Sequence, residues 1–274
     1  MPLFHLPPPR EMLEVRACPV LDLMGTCCDW HSSILPALRD APLLPALPAS
    51  GLPAFASEWR ATFFKEIHRQ FQASEGPENI DFTHRKVLDQ MLDARGIGMG
   101  DWGEDVRCEL VMRWHLQIGE YSKLVFADND CSDFPPAWPD SLEGIERLKA
   151  KFFVSVLANG TTRLQLDIVK SSKLPFDMLF SSELLGMIKP DPQIYLKSLA
   201  LMGVSPHEAV MIAAHAYDLR AAKKIGMKTI YVSLETEDHD EDMVALAQEF
   251  DAFVDGTKGG ASAGLVEVAR LLGA

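Results

Sequence analysis

The second half of the chain alternates short apolar runs with helical stretches, and this alternation constrains the fold more than any other feature. Apolar runs at 152–158, 210–213, 229–232 and 252–254 are typical of buried strands. Helical stretches at 192–202 and 219–225 lie between them, each followed by a glycine, and Asp140 and Glu143 have capping-box spacing for a helix that reaches Leu148. Strand–helix alternation predicts a parallel sheet covered by helices on both faces.

One more strand is predicted at residues 15–24, with Pro19 near its start, because a proline cannot donate a hydrogen bond inside a central strand. The pattern after this strand is helical for about a hundred residues. Its apolar stripes are Phe55, Trp59, Phe63, Ile67 and Phe71; Val87, Leu88, Met91 and Leu92; and Val106, Leu110, Val111, Trp114 and Ile118. The sequence therefore predicts an α/β core of residues 1–32 and 136–274, interrupted by an all-helical segment of residues 33–135.

Charge and cysteine usage narrow the range of partners. The net charge of −13 disfavours nucleic acid and anionic membrane surfaces, since both attract basic faces. A small carboxylic acid remains compatible, because one local arginine can bind it. No apolar run is long enough to span a membrane. The five cysteines have no CxxC spacing and the N-terminus does not resemble a signal peptide, so we expect free thiols in the cytoplasm.

Polar side chains are expected at the carboxyl ends of the strands, where open parallel sheets gather their chemistry. Asp22 and Asn159 each follow a predicted strand, Lys189 precedes a helix, and Asp218 follows a later strand. A carboxylate can attack carbon or phosphorus and form an intermediate that water cleaves. A nearby lysine keeps that carboxylate ionised, and a second acid can activate the water. This set of residues predicts nucleophilic catalysis.

At these positions the chain resembles the haloacid dehalogenase superfamily, and its 2-haloacid dehalogenase branch in particular. The first motif is Asp22-Leu23-Met24-Gly25-Thr26. Met24 stands where phosphatase members carry a second acid, and methionine cannot transfer a proton. The other motifs are Ala158-Asn159-Gly160, Lys189-Pro190-Asp191-Pro192 with Tyr195, and Ala213-Ala214-His215-Ala216-Tyr217-Asp218, in which His215 takes the place of an asparagine.

The helical segment resembles the cap of this branch. Trp59-Arg60 matches a pair in which the arginine projects over the nucleophile and receives the leaving group or the substrate carboxylate. A surface arginine paired with Glu58 or Glu66 is the alternative. Phe63 and Phe64 are expected in the core rather than in a substrate pocket.

The resemblance implies a Rossmann-like core with an inserted cap and a covalent mechanism. Asp22 would attack carbon 2 of a small 2-substituted acid, Arg60 would receive the leaving group, and Lys189 would keep Asp22 charged. Asp218, with His215, would guide water onto the ester. The substrate would be held by Leu23, Met24, Thr26, Asn159 and Tyr195. The resemblance implies no metal or other cofactor, and it allows a homodimer formed through the cap.

Two other functions stay open at this stage. The same superfamily includes Mg²⁺-dependent phosphatases of small molecules. The alanines at 158, 213 and 214 depart from the motifs of the branch, so a protein that has lost hydrolysis and serves in binding or biosynthesis is the other alternative.

Overall fold

The computed structural model describes residues 18–75, 78–115, 137–258 and 263–274. Within these ranges six parallel strands form one sheet in the order β3-β2-β1-β4-β5-β6. The strands are β1 (Cys18–Leu21), β2 (Ser155–Ala158), β3 (Met178–Ser181), β4 (Ala209–Ala213), β5 (Lys228–Ser233) and β6 (Ala252–Asp255). The order reverses direction between β1 and β4, which is where ligands bind in open parallel sheets. The α/β fold class is confirmed.

In the described part of the chain, four helices lie between β1 and residue 115: α1 (Trp30–Asp40), α2 (Leu52–Gln72), α3 (Ile80–Asp93) and α4 (Glu104–Met112). Later helices are α5 (Ser141–Lys149), α6 (Thr162–Ser172), α7 (Ser182–Leu185), α8 (Pro192–Met202), α9 (Ala216–Lys224), α10 (Met243–Glu249) and α11 (Leu265–Leu271). Short 3₁₀ turns occupy Ala49–Gly51, Arg113–His115 and Pro206–Glu208. No described helix has both the length and the apolar character needed to cross a bilayer.

The strands β4, β5 and β6 and the helix at 192–202 are confirmed to within a residue or two. Pro19 is the second residue of β1, as expected. The strand predicted at 152–158 begins only at Ser155, because Phe152 and Phe153 lie in the preceding loop and Phe153 is exposed. Strand β3 and helix α6 were not predicted.

The predicted helical segment begins earlier than expected, since α1 starts at Trp30 rather than near residue 33. Trp30 packs with Phe55, Trp59 and Trp114 in an apolar cluster built from α1 to α4 and the 3₁₀ turn that follows α4. Part of the α2 stripe, Phe63 and Ile67, packs instead against the core on the sheet side. The domain boundaries stay predictions. Ile118, Cys131 and Pro135-Pro136, with the boundary at 135–136, lie outside the described residues.

Asp140 is the N-cap residue of α5, but its side chain does not cap the helix. No hydrogen bond from its side chain caps α5, and Glu143 pairs with Arg147 one turn later at 2.5 Å. Instead Asp140 Oδ2 accepts from the backbone N–H of Val266 at 3.0 Å, at the start of α11. The capping-box prediction is therefore wrong, because a contact 126 residues away in the chain takes the carboxylate.

Candidate active site

Asp22 directly follows β1, at the carboxyl end of the strand, and three neighbouring side chains contact its carboxylate. Lys189 Nζ donates to Asp22 Oδ1 at 2.8 Å. Thr26 Oγ1 donates to Oδ2 at 3.2 Å, and His215 Nδ1 lies 3.0 Å from the same oxygen. Burial alone would raise the pKa of Asp22, but the cations of Lys189 and His215 outweigh it and hold this pKa well below its usual range. Asp22 is therefore an ionised carboxylate in a site almost closed to solvent.

Lys189 is wholly buried between two carboxylates. Its Nζ lies 2.8 Å from Asp22 Oδ1 and 2.5 Å from Asp218 Oδ2. Burial alone would lower the pKa of Lys189, but Asp218 and Asp22 outweigh it and raise the pKa. The amide of Asn159 fixes the backbone of Lys189: its Oδ1 accepts from Lys189 N–H at 2.8 Å, and its Nδ2 donates to the Lys189 carbonyl at 3.1 Å. The lysine is thus a fixed cation beside Asp22.

Asp218 and Tyr195 lie behind Lys189 rather than on the substrate side. One oxygen of Asp218 accepts from Lys189 and the other accepts from the Tyr195 hydroxyl. Neither side chain is among the described residues that line the cavity next to Asp22. Substrate binding by Tyr195 and guidance of water by Asp218 stay predictions. Both oxygens of Asp218 accept from neighbouring side chains, and burial raises its pKa, although Lys189 opposes that rise.

Thr26 contacts the Asp22 carboxylate from the side away from the cavity. Its hydroxyl accepts from the backbone N–H of Ala214 at 2.9 Å while it donates to Asp22. This pair of hydrogen bonds ties the loop after β1 to the loop after β4. Thr26 does not line the cavity formed by the described residues but contacts Asp22, and its predicted contact with substrate stays a prediction.

Leu23, Met24, Asn159 and His215 line a small cavity, about 40 Å³, between Asp22 and the helices above it. Arg60, on α2, closes it from above: Nη2 donates to the Met24 carbonyl at 3.2 Å. The guanidinium carbon lies 4.4 Å from the Phe64 ring centroid. The alternative partners of Arg60 are taken, since Glu58 pairs with Arg95 and Glu66 with Arg69 and Lys86.

Three buried nitrogens around this cavity have no hydrogen-bond partner within the described part of the chain: Arg60 Nε, Trp114 Nε1 and His84 Nδ1. His84 is stacked between Phe63 and Trp114, with ring centroids 3.9 and 4.5 Å away. Burial and the nearby Arg60 cation hold the pKa of His84 well below its ordinary value, so its ring is neutral. The Nε–H of Arg60 and the Nε1–H of Trp114 are donors, and a buried donor without a partner is costly, so an anion in the cavity would satisfy both.

Several residues that line the cavity were not predicted from the sequence. Phe63 and Phe64 were expected in the core, yet both line the cavity as well. His84 and Trp114 carry no sequence signal beyond an apolar stripe, because their position depends on how the helices pack. Glu237 binds the far side of His215. Glu237 lies in the loop after β5, so its place near a strand end is the sequence signal that points to it.

The donor set offers little to a metal ion. Among residues 18–75, 78–115, 137–258 and 263–274, no three His, Cys, Asp or Glu side chains are grouped as metal ligands would be. Both oxygens of Asp22 and both oxygens of Asp218 already accept from protein groups.

Comparison with known proteins shows the family to which the chain is similar. The model of the haloacid dehalogenase-like hydrolases matches residues 19–226. (S)-2-haloacid dehalogenase 4A of Burkholderia cepacia is 31% identical over 225 residues, which cover 80% of this chain and 84% of that protein.

Two crystal structures of L-2-haloacid dehalogenases are also similar. PA0810 has a TM-score of 0.71 at 28% identity, covering 93% of this chain and 99% of the other. The defluorinating Rha0230 has a TM-score of 0.75 at 26% identity, covering 97% and 100%.

Proposed function

The chain belongs to the haloacid dehalogenase-like hydrolases, and from this premise we propose that it hydrolyses small 2-haloacids through an ester on Asp22. The observation that carries the proposal is the ionised, buried carboxylate of Asp22, which lines a small cavity and lies 2.8 Å from Lys189. A carboxylate in such a site has lost most of its water, which makes it a stronger nucleophile.

The first step is a displacement at carbon 2. An electron pair of the Asp22 carboxylate forms the new carbon–oxygen bond while the carbon–halogen bond breaks and the halide leaves with its electron pair. Lys189 keeps Asp22 ionised through its charge, and Asp218 and Tyr195 keep Lys189 in position. Water then cleaves the ester and releases a 2-hydroxy acid.

Arg60 receives the departing halide in this proposal. Its guanidinium is buried, borders the cavity and has an Nε with no partner among the described residues, so it offers charge and an N–H to an anion. Trp114 Nε1, which also lacks a partner in the described part of the chain, is a second donor on the same cavity. The carboxylate of the substrate would then bind the opposite wall, at Asn159 and the backbone amides of Leu23 and Met24.

Met24 argues against the phosphatase alternative. It borders the cavity beside Asp22, where the leaving group of a phosphate ester would need a proton donor, and a thioether has no proton to give. The accessory-protein alternative is opposed by the complete set of contacts around Asp22 despite the alanines at 158, 213 and 214.

Halide release from 2-chloropropionate tests the proposal, with wild type compared with Asp22→Asn. We expect chloride and a 2-hydroxy acid from the wild type and loss of at least about 1,000-fold in the variant, since the nucleophile is gone. Full activity of the variant would exclude the ester. Mg²⁺-stimulated release of phosphate from p-nitrophenyl phosphate, without halide release, would favour the phosphatase. No adduct on Asp22 with any haloacid would favour the accessory protein.

A cytoplasmic location and a homodimer remain part of the proposal. The four cysteines in the described residues are all unpaired, which supports a reducing compartment. Light scattering of the purified protein tests the dimer.

A further inference from the structure

His215 bridges two buried carboxylates. Its Nδ1 lies 3.0 Å from Asp22 Oδ2 and its Nε2 lies 2.7 Å from Glu237 Oε2. All three side chains are at least nine-tenths buried. Asp22 follows β1, His215 follows β4, and Glu237 lies in the loop after β5. The line of contacts therefore runs from the nucleophile, through an imidazole, to an acid at the far side.

Hydrogen bonds from neighbouring side chains hold the Glu237 carboxylate in place. Its Oε1 accepts from the Thr236 hydroxyl at 2.8 Å and also from Trp30 Nε1. Gly25, in the first motif, makes room for it: a Cβ added at Gly25 would lie 2.6 Å from the carboxyl carbon of Glu237. Both carboxylate oxygens are thus occupied by donors, and the first motif is shaped around this acid. A surface glutamate would show none of these features.

His215 borders two spaces. It lines the small cavity next to Asp22 and also an open groove, about 320 Å³, that Glu237 lines too. By contrast, both oxygens of Asp218 are engaged and Asp218 does not line the cavity among the described residues. Lys189 and His215 both contact Asp22 and line the small cavity, but of these two residues only His215 also lines the groove that leads to solvent.

We infer that His215, held by Glu237, takes the proton from the water that hydrolyses the Asp22 ester, and this inference rests on the proposed function. In the free enzyme His215 is an imidazolium that donates to Asp22 and to Glu237. When Asp22 becomes an ester, the negative charge facing Nδ1 disappears. The Nδ1 proton then leaves to solvent, while Glu237 keeps the proton on Nε2.

The neutral Nδ1 is the base in the second half of the reaction. Water attacks the ester carbonyl and its proton passes to Nδ1, which restores the imidazolium. The tetrahedral intermediate collapses and breaks the bond to the 2-hydroxy acid oxygen. That oxygen takes the remaining proton from the Asp22 carboxyl, which regenerates the carboxylate. The sum is one haloacid and one water converted to hydroxy acid, halide and one proton, which is the proton that left Nδ1.

Electrostatics supports this sequence of charge states. Burial alone would lower the pKa of His215, but the hydrogen bonds to Asp22 and Glu237 outweigh it and raise the pKa to about 10. Loss of the Asp22 charge removes one of these two causes. The charged and titratable groups around His215 are Asp22, Arg60, His68, Lys189, Tyr217, Glu237 and Asp238. Glu237 is the acid that stays in hydrogen-bond contact after the ester forms.

Glu237→Gln tests the inference, with Glu235→Gln, an exposed neighbour, as the matched control. Chloride released in the first turnover of 2-chloropropionate is measured by rapid quench, and the adduct on Asp22 by intact mass. We expect first-turnover chloride within a few-fold of wild type. Steady-state turnover should fall about 100-fold or more, and the ester should accumulate. Glu235→Gln should match the wild type, with no accumulated ester.

The pH profile separates proton transfer from simple support. In the wild type, ester hydrolysis should rise with pH as His215 loses its proton. In Glu237→Gln the rise should move to lower pH, because the anion that stabilises the imidazolium is gone, while the maximum rate falls. Glu237→Asp, which restores the charge, should move the rise back toward the wild-type pH.

The inference is overturned if Glu237→Gln keeps wild-type turnover, or if it loses turnover without an accumulated ester. Should that variant fail to fold, as judged by circular dichroism, His215→Asn decides in the same assay: an accumulated ester supports the inference, and any other result overturns it. A wild type that releases no halide and forms no adduct contradicts the proposed function itself, so the two failures are distinguishable.

Discussion

Lys189 and Asp218 form an ion pair of 2.5 Å in which neither side chain has any exposure to solvent. The pair extends on one side to Asp22 and on the other to the Tyr195 hydroxyl. Because isolated buried charges are very costly, each member of this line depends on the others. These contacts among Asp22, Lys189, Asp218 and Tyr195 explain how the buried carboxylate of Asp22 stays ionised.

Replacing Lys189 with methionine should damage both stability and activity. The variant leaves Asp22 and Asp218 without their shared cation, and breaking a buried pair costs about 3–5 kcal/mol. We expect the free energy of unfolding in urea to fall by that amount and halide release to fall about 100-fold or more. Lys65→Met, at an exposed position on α2, is the control and should change neither quantity. Unchanged stability of Lys189→Met would contradict the charge argument.

Tyr195→Phe should lower turnover without changing the binding of substrate. The variant removes the hydroxyl that donates to Asp218, which leaves a buried carboxylate oxygen unsatisfied at a cost of about 1–3 kcal/mol. Since Tyr195 lies behind Lys189 and not on the described wall of the cavity, we expect a lower kcat and a constant KM. Steady-state kinetics checks this. A raised KM with constant kcat would instead put the hydroxyl on the substrate.

Trp114→Phe should slow halide release while leaving the fold intact. Trp114 Nε1 is buried beside the cavity and has no partner within residues 18–75, 78–115, 137–258 and 263–274, so its removal breaks no hydrogen bond to these residues. A hydrogen bond to a charged group is worth about 1.5–3 kcal/mol, so we expect turnover to fall about 10-fold or more.

Trp102→Phe is the matched control, because Trp102 Nε1 donates to the Pro42 carbonyl at 2.8 Å, away from Asp22. That variant should lose about 1 kcal/mol of unfolding free energy and keep its turnover. Equal turnover in the two variants would remove Trp114 from the halide site.

The sequence predicted the parallel sheet and the meeting of Asp22, Asn159 and Lys189, because alternation and strand ends are local signals. It missed β3 for an equally local reason. Met178 is exposed and Leu179 only partly buried, so this edge strand has no buried apolar run to recognise. A strand at the edge of a sheet needs fewer apolar residues than a central one, and its pattern is correspondingly weaker.

The roles of single polar residues depended on packing that no local pattern records. Asp218 was expected to meet water, but the sequence could not show that Tyr195 and Lys189 take both of its oxygens. Glu237 lies in a loop that also contains the exposed Glu235. Only burial against Trp30 and His215 distinguishes the two acids. Motif position thus predicted which side chains gather, but not which of them face the cavity.

His115 should make stability depend on pH. It lies between Asp81 of α3, at 2.9 Å, and Asp167 of α6, at 3.2 Å. Burial alone would lower the pKa of His115, but the two carboxylates outweigh it and raise the pKa above the ordinary 6.5. A raised pKa in the folded state means that the imidazolium contributes its full stabilisation below about pH 6.5, the unfolded pKa, and loses it as pH rises through the folded pKa.

His115→Gln removes that charge, so its effect on the free energy of unfolding should be larger at pH 6 than at pH 9. Urea unfolding of both proteins at the two pH values measures the difference, and the comparison cancels the other titrating groups. An effect of His115→Gln that is equal at both pH values would mean that the ring joins α3 to α6 through neutral hydrogen bonds alone.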